Sequence, residues 1–269
     1  MTSCNGCPAR GAGNLVRLGI HPGTYDYLVA LAGNPNTGKS TVFNAITGLR
    51  QHTGNWPGKT VTRAEGGFSY GGSKFKLVDL PGTYSLLSTS ADEEVARDFL
   101  LFGQPDVTVI VVDATCLERN LNLVLQVFEI TGRAVVCLNL IDEAQRHGLT
   151  VDSRTLSKEL GVPVIPAAAR QGIGIPELLK SVHDVATGEY ICRPRHIRGG
   201  TKALARALED LACRITAAFP GLPNARWVAL RLLEGDQRMI DAVRTGELEG
   251  LAKAGAAAAS RTPATGIPE

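Results

Sequence analysis

Eight residues, Gly33 to Ser40 (GNPNTGKS), have the composition and spacing of a phosphate-binding loop. In such a loop Gly33 and Gly38 let successive backbone N–H groups point at phosphate oxygens. Lys39 then reaches the β- and γ-phosphates, and the Ser40 hydroxyl binds Mg²⁺. An apolar run precedes the segment and a helical pattern follows it, which is the context that this motif requires. The predicted nucleotide-contacting residues here are Gly33, Asn34, Pro35, Asn36, Thr37, Gly38, Lys39, Ser40 and Thr41.

A second candidate cluster, LVDLPG at residues 77–82, closes another apolar run. Asp79 would hold Mg²⁺ directly or through water, as strand-end aspartates do in phosphate-loop enzymes. Gly82 would offer its backbone N–H to the γ-phosphate with no side chain in the way. Because this D-x-x-G pattern follows a phosphate loop, it indicates a nucleoside triphosphate site rather than an isolated turn.

The preferred base is predicted by NLID, residues 139–142. A carboxylate accepts two hydrogen bonds from the N1–H and 2-amino edge of guanine, which adenine does not present. Asp142 fits this role, and Asn139 would brace the loop and contact the purine. Alone, the motif could also be a strand-end asparagine before a helix-capping aspartate, but its order after the other two motifs favours guanine. Many GTPases carry lysine after this asparagine, so Leu140 predicts a looser grip and fast GDP release.

Two mobile switches are expected around these motifs. Residues 52–67 have the glycine and proline content of a long loop leading into a strand and would form the first switch. Within it, Thr60 is the predicted hydroxyl that closes onto Mg²⁺ in the GTP state, with Thr62 as the alternative. The second switch is predicted to follow Gly82 as TYSLLSTSADEE, residues 83–94, and the γ-phosphate would order both.

The glutamine that orients the attacking water in many GTPases is missing, and Thr83 stands just after Gly82 instead. Phosphoryl transfer depends mainly on positioning and charge stabilisation, so a bound cation could replace part of what is lost. The side-chain carbonyl of Asn36 could bind a monovalent cation between the β- and γ-phosphates. The predicted catalytic residues are Asn36, Lys39, Thr60, Gly82 and Thr83.

These motifs need a scaffold that brings the ends of several strands together. Continuous, β-branched apolar runs predict buried parallel strands at 26–33, 75–79, 107–114, 134–140 and 162–168. Helical patterns accompany them near 39–47, 91–102, 119–131, 153–160 and 174–187. The alternation predicts an α/β fold with a doubly wound, mostly parallel sheet.

Four segments are predicted along the chain. Residues 1–25 are typical of a flexible arm, and residues 26–188 form the predicted GTPase (G) domain. The strand pattern then stops, so residues 189–253 predict a second, small all-helical domain. The alanine-rich end, residues 254–269, is typical of a linker or disordered tail.

Composition excludes several classes of protein. The net charge of +2 is too small to imply a polyanionic partner, and no basic run interleaves with aromatic residues as in nucleic-acid-binding proteins. No apolar run could cross a bilayer and no signal peptide is recognisable, so a soluble chain facing the cytoplasm is expected, with its cysteines as thiols. The pair Cys4 and Cys7 could hold a metal or form a redox pair, but a closed zinc site needs four ligands, which favours a mobile arm.

Together, the motifs resemble the cytosolic G-protein region of bacterial ferrous-iron transport protein B. The resemblance covers residues 27–245 and depends on ALAGNPNTGKSTVFNAITG, QHTGNWPGKTV, LVDLPGTYSL, EEVARDFL, CLNLIDEA, GVPVIPAAARQGIGI and ARWVALRLLEGD. It implies slow, potassium-stimulated GTP hydrolysis, with Asn36 as the K⁺ ligand and Thr60 as the switch threonine. It also implies that the base-contacting loop falls on Ala168 and Ala169, where only backbone contacts to the guanine O6 remain.

The same resemblance implies GTP or GDP, Mg²⁺ and K⁺ as ligands, and coupling of the nucleotide state to a membrane permease for Fe²⁺. The linker-like tail favours a fragment of a longer protein at the cytoplasmic face of the bacterial inner membrane. A small cytosolic accessory protein of iron uptake is a further candidate partner. Two alternatives stay open: an RNA- or ribosome-associated potassium-dependent GTPase, and a phosphate-loop kinase for a small molecule. The segment after Thr201 is neither strongly basic nor β-containing, and a kinase leaves NLID unexplained.

Overall fold

The computed structural model describes residues 24–48, 51–87, 90–196, 201–222 and 224–250, together with Leu15, Leu18, Ile20 and Ala252. The chain folds into two compact units, and the larger one comprises residues 15–197. The larger unit contains a sheet flanked by helices, and the described part of the smaller unit is helical. Cys4, Cys7 and the predicted tail at 254–269 lie outside the described residues.

Seven strands form the sheet of the larger unit: β1 (Tyr27–Gly33), β2 (Gln51–Asn55), β3 (Thr62–Tyr70), β4 (Ser73–Asp79), β5 (Val107–Asp113), β6 (Ala134–Asn139) and β7 (Val164–Pro166). Its α-helices are α1 (Lys39–Thr47), α2 (Ala91–Asp98), α3 (Leu117–Ile130), α4 (Ile141–Arg146), α5 (Ser153–Leu160) and α6 (Ile175–Thr187). A π-helical turn, Phe99–Gly103, extends α2.

The sheet has the strand order β2-β3-β4-β1-β5-β6-β7. β4, β1, β5, β6 and β7 run parallel to one another, whereas β2 and β3 are antiparallel to their neighbours. The predicted doubly wound, mostly parallel sheet is therefore confirmed. Because the carboxyl ends of parallel strands meet at one edge of a sheet, the residues that close β1, β4 and β6 lie along the same edge.

The core explains why the central strands could be predicted. Every residue of β5 except its last is buried, and every residue of β6 is buried. Strands covered on both faces have continuous apolar sequences. One face packs against α1 and α6, which contribute Val42, Phe43, Ile46, Leu178 and Val182 to the core cluster. Each such buried side chain contributes about 1.5–3 kcal/mol to folding.

The segment predicted as a long loop leading into a strand, residues 52–67, contains the expected strand (β3) and also a strand that was not expected (β2), and the two form an antiparallel hairpin. β2 pairs with β3, and β3 pairs with β4 along its length. The hairpin turn includes Gly58, whose left-handed φ of 69° suits glycine. No residue of β3 is fully buried, so the strand lacks the apolar pattern of the central strands. Backbone pairing with β4 holds this strand in place.

Two predicted segment limits differ from the structure. In the arm predicted at 1–25, the side chains of Leu15 and Ile20 are buried, and the Ile20 N–H donates to the Leu15 carbonyl at 2.8 Å. At the other limit, the larger unit extends beyond residue 188 to residue 197. The Arg193 N–H donates to the Gly161 carbonyl at 2.8 Å, so residues after α6 return along the end of α5.

The smaller unit contains α7 (Lys202–Ala218), α8 (Ala225–Leu233) and α9 (Gln237–Arg244). Thr201 caps α7 by accepting from the Leu204 N–H, and Asp236 caps α9 by accepting from the Met239 N–H, both at 3.2 Å. Its buried side chains include Leu208, Ile215, Trp227, Val228 and Met239. In the described parts of the chain, no helix has the length and apolarity that crossing a membrane requires.

Candidate nucleotide-binding site

The predicted phosphate loop connects the end of β1 to the start of α1. Asn36 and Gly38 have left-handed backbones, with φ of 66° and 77°. Such turns orient successive N–H groups toward one point, and α1 directs its N-terminus at the same place. The two glycines of the loop also have no room for a side chain. A β-carbon on Gly33 would lie 2.6 Å from the Val111 carbonyl oxygen, and one on Gly38 would lie 2.4 Å from Asn139 Nδ2.

Inside the loop, the Thr37 hydroxyl donates to the Asn34 carbonyl at 2.9 Å. The Asn34 side chain is buried, and neither its oxygen nor its nitrogen has a hydrogen-bond partner in the described part of the chain. Buried polar atoms without a partner are costly, so a ligand or an ordered water that reaches them is bound favourably. Pro35 is half-buried, and Asn36 is exposed at the apex of the loop.

Lys39 forms an ion pair with Asp79, which joins the phosphate loop to the end of β4. Their side chains are only 11% and 18% exposed, so water screens this pair weakly. Burial raises the pKa of Asp79 above its ordinary value, and the charge and hydrogen bond of Lys39 only partly offset this effect. Ser40 and Thr41 are exposed on the first turn of α1. The Ser40 hydroxyl and the Asp79 carboxylate are hard oxygen donors of the type that Mg²⁺ prefers.

The D-x-x-G segment packs directly against the phosphate loop. A β-carbon on Gly82 would lie 3.4 Å from the backbone of Pro35. The Thr83 N–H donates to the Gly33 carbonyl at 3.2 Å, and the Thr83 side chain is buried. The position that often carries a water-orienting glutamine is therefore turned into the protein. The next residue, Tyr84, is exposed, and the Arg119 guanidinium lies 4.3 Å from its ring centre.

Asn139, at the end of β6, connects the phosphate loop with the loop after β7. Its side-chain nitrogen donates to the Thr37 carbonyl at 3.0 Å, and its side-chain oxygen accepts from the Ala169 N–H at 3.1 Å. The side chain is buried, with 1% of the residue exposed. The predicted bracing role of Asn139 therefore has two specific partners.

Asp142 lies on the first turn of α4 and is 25% exposed, so its carboxylate is accessible. One carboxylate oxygen accepts from Arg146 at 2.8 Å and from Gln171 at 2.9 Å. These two donors fix the orientation of the carboxylate. Leu140 precedes α4 in a left-handed conformation, with φ of 62°, and its Cδ2 lies 4.0 Å from where a β-carbon on Gly38 would be.

The backbone N–H groups of Ala168 and Ala169, which were expected to contact guanine, already have partners within the protein. The Ala168 N–H donates to the Ile173 carbonyl at 3.1 Å, and the Ala169 N–H donates to Asn139. Both donors are thus engaged within the protein, because the loop folds back on itself through the bridge between Ala168 and Ile173. The first backbone N–H beyond them belongs to Arg170.

The candidate switch threonines lie on the β2–β3 hairpin. Thr60 is exposed in the turn, and Thr62 is exposed at the start of β3, where it pairs with Asn55. The adjacent Lys59 forms a salt bridge with Glu94 of α2 at 2.7 Å. Since Glu94 is the last residue of the second predicted switch, this contact connects the two predicted switches.

The structure thus brings the phosphate loop, Asp79, Gly82, Asn139 and Asp142 to one edge of the sheet, whereas Thr60 and Thr62 stay on the hairpin. Sequence reasoning missed Arg146 and Gln171, the partners of Asp142. An acid followed four residues later by arginine is a detectable helix pattern, so Arg146 had a signal in the sequence. Gln171 had none, because it reaches Asp142 from a separate loop.

Comparison with known proteins agrees with this geometry. The model of the family described as ferrous iron transport protein B matches residues 27–182. The Fe(2+) transporter FeoB of Escherichia coli (strain K12) is 41% identical over 212 residues, which is 77% of this chain and 27% of that protein. A Porphyromonas gingivalis Fe(2+) transport protein A/Fe(2+) transporter FeoB fusion protein is 40% identical over 228 residues, 83% of this chain and 27% of its own length. The chain therefore spans about a quarter of these relatives.

Solved structures of FeoB cytosolic domains are also similar to this chain. The cytosolic domain of FeoB from L. pneumophila superposes with a TM-score of 0.73 at 36% identity, covering 84% of this chain and 87% of that one. The cytosolic domain of the T. maritima FeoB iron transporter in a GDP form has a TM-score of 0.72 at 32% identity, covering 88% and 97%. Both similarities extend over most of each chain, so they include the helical unit as well as the sheet.

Proposed function

This chain belongs to the ferrous iron transport protein B family, and we propose that it binds guanine nucleotides and hydrolyses GTP to GDP and phosphate. The observation that carries the proposal is the Lys39–Asp79 pair at the phosphate loop together with the oriented Asp142 carboxylate at the same edge of the sheet. The first places charge for a phosphate chain, and the second is an acceptor for a purine with adjacent N–H donors.

Guanine is recognised in this proposal by Asp142 and by the loop after β7. The carboxylate accepts from the N1–H and the 2-amino group, and Arg146 and Gln171 keep it in position. Because the N–H groups of Ala168 and Ala169 are engaged, we assign the contact with the guanine O6 to the Arg170 N–H. Asn139 keeps this loop at a fixed distance from the phosphate loop.

The phosphate chain is held by the N–H groups of Asn34 and of residues 36–40, since Pro35 has none, and by the Lys39 ammonium. Bound Mg²⁺ and K⁺ would supply positive charge for the transferring phosphoryl group. Ser40, Thr60 and Asp79 offer the oxygens for Mg²⁺, and the Asn36 side-chain carbonyl, exposed at the apex of the loop, suits K⁺. Since Thr83 is buried and cannot orient water as glutamine does, slow hydrolysis is expected.

The transporter context follows from the relatives, of which this chain spans about a quarter. We propose that it is the nucleotide-dependent regulator of Fe²⁺ uptake through a membrane permease that forms another part of the same protein. One relative is named as a fusion with Fe(2+) transport protein A, which supports a small accessory protein as a partner. The site then faces the cytoplasm, where GTP is present.

The test is nucleotide preference before and after Asp142→Asn. The native chain should bind GTP and GDP in strong preference to ATP and xanthosine triphosphate. Asparagine replaces an acceptor oxygen with a donor, so the variant should prefer xanthine nucleotides, whose C2 carries an oxygen. Asp152→Asn is the matched control, because Asp152 accepts bonds from Arg154 and Thr155 at the start of α5. Equal binding of ATP and GTP, or an unchanged preference in Asp142→Asn, would contradict the proposal.

A further inference from the structure

A second group of ligand atoms lies at the C-terminal end of α6. His183, Asp184 and Glu189 each direct one nitrogen or oxygen atom into a small volume, in which these atoms lie within 4.8 Å of one another. An imidazole nitrogen and two carboxylate oxygens are ligands that first-row transition metals accept. None of the three residues takes part in the nucleotide site described above.

The His183 imidazole is held in one orientation by its surroundings. Its ring contacts Tyr70 and Phe75, with ring centres 5.6 and 6.2 Å away. Its Nε2 edge faces the β3–β4 turn so closely that a β-carbon on Gly71 would lie 2.6 Å from that atom. The Nδ1 atom is 3.6 Å from a carboxylate oxygen of Asp184. A ligand fixed in this way loses little conformational freedom when it binds a metal.

The end of the helix returns Glu189 to the same place. Gly188 has a left-handed φ of 86°, which reverses the chain after α6. The Tyr190 N–H donates to the Asp184 carbonyl at 2.9 Å, and the Thr187 hydroxyl donates to the His183 carbonyl at 2.9 Å. These hydrogen bonds hold the backbone that carries the three ligands, whereas the exposed Glu189 side chain can adjust its position.

We propose that His183, Asp184 and Glu189 bind a divalent first-row transition-metal ion. The imidazole favours ions such as Zn²⁺, Fe²⁺ and Co²⁺ over Mg²⁺ and Ca²⁺, which prefer all-oxygen sites. The C-terminal end of a helix also attracts cations, because its free carbonyl groups carry partial negative charge. Asp184 is 27% exposed and Glu189 is exposed, so an ion can enter from solvent and complete its coordination with water.

The proposed site is distinct from the Mg²⁺ site of the nucleotide pocket. α6 begins beside the base-contacting loop and has 13 residues, so its far end is about 20 Å from that loop. The three ligands lie near the beginning of β4, whereas Asp79 lies at its end. Metal binding here therefore does not depend on the proposed GTPase activity.

The experiment is a titration of the nucleotide-free chain with Co²⁺, followed by absorption spectroscopy, and with Zn²⁺, followed by calorimetry. Cys4→Ser/Cys7→Ser is used as the background, so that the N-terminal thiols cannot bind the ion. One equivalent of metal should bind, with Co²⁺ bands typical of nitrogen and oxygen ligands. His183→Gln and Glu189→Gln should each weaken binding about tenfold or more, at least the loss seen when an outer-shell partner is removed.

The matched control is His147→Gln, which removes an exposed imidazole elsewhere in the same unit and should leave the affinity unchanged. Because His183 packs among aromatic rings, its substitution can lower stability as well as remove a ligand. Glu189→Gln changes only an exposed side chain, and thermal unfolding of both variants separates the two effects. Absence of a stoichiometric site in the background protein, equal affinity for Ca²⁺, or unchanged affinity in Glu189→Gln would each overturn the proposal.

Discussion

The Asn139 side-chain amide donates a hydrogen bond to the Thr37 carbonyl at 3.0 Å, which joins two residues that are 102 positions apart. The same side chain accepts from the Ala169 N–H. A single buried amide thus sets the distance between the loop that would hold phosphate and the loop that would contact the base.

Replacing Asn139 with alanine should therefore weaken both folding and nucleotide binding. Two buried hydrogen bonds disappear, and the Thr37 carbonyl and the Ala169 N–H lose their partner. This loss lowers the free energy of unfolding by about 2–4 kcal/mol. Urea unfolding measures the first effect, and GDP titration should show a loss of affinity. The control is Asn120→Ala, whose amide bonds to the Cys116 carbonyl within its own helical turn. A variant with unchanged GDP affinity would show that Asn139 does not position the site.

Asn36 should determine the response to potassium. The native chain should release phosphate from GTP faster in KCl than in NaCl, because a monovalent cation held by Asn36 compensates for the missing glutamine. Asn36→Ala should make the rates in the two salts equal. Asn55→Ala removes an exposed asparagine of β2 and should keep the difference. Equal rates in both salts for the native chain would refute the potassium mechanism.

Leu140 should limit the residence time of GDP. The Leu140 side chain approaches Gly38. A lysine at this position could lay its longer aliphatic stem along the base and donate a hydrogen bond from its ammonium group, whereas leucine can do neither. Leu140→Lys should therefore slow GDP release in a stopped-flow measurement with fluorescent GDP. Leu149→Lys adds the same charge at an exposed position and should have no effect. Release from the native chain as slow as in tight-binding small GTPases would contradict this interpretation.

The buried thiol of Cys137 should make the folded chain less stable at high pH. Burial in β6 raises the pKa of its thiol from 9.0 to about 12. Between these values the unfolded chain releases the thiol proton and the folded chain keeps it, so the free energy of unfolding falls as pH rises. Relative to Cys137→Val, the native chain should lose about 1.4 kcal/mol between pH 8 and pH 10. Denaturant unfolding at both pH values measures this difference, and parallel losses in the two proteins would disprove it.

The central strands and the phosphate loop could be predicted because their sequences carry the physical cause of their structure. β5 and β6 are buried on both faces and are therefore continuously apolar. The loop needs glycine where a β-carbon would collide, as at Gly33 and Gly38. Local sequence was sufficient in each case.

The features that were missed depend on contacts between distant segments. β2 (QHTGN) forms through backbone pairing with β3, and such pairing leaves no apolar pattern in its sequence. The N–H groups of Ala168 and Ala169 are taken up by Ile173 and Asn139, which cannot be deduced from the order of residues. The unit continues past residue 188 because Arg193 pairs with Gly161, another contact that composition does not indicate.

The hydrogen bond from the Thr83 N–H to the Gly33 carbonyl makes the D-x-x-G segment a continuation of the ladder between β4 and β1, after the bond from Leu80 to Leu31. Gly33 is also where the phosphate loop begins, so a conformational change at either segment acts on the same peptide group. One such bond contributes about 1 kcal/mol, or roughly a fivefold bias in a two-state equilibrium. We therefore expect two or three new contacts at the phosphate loop to be enough to break this bond and release the D-x-x-G segment from β1.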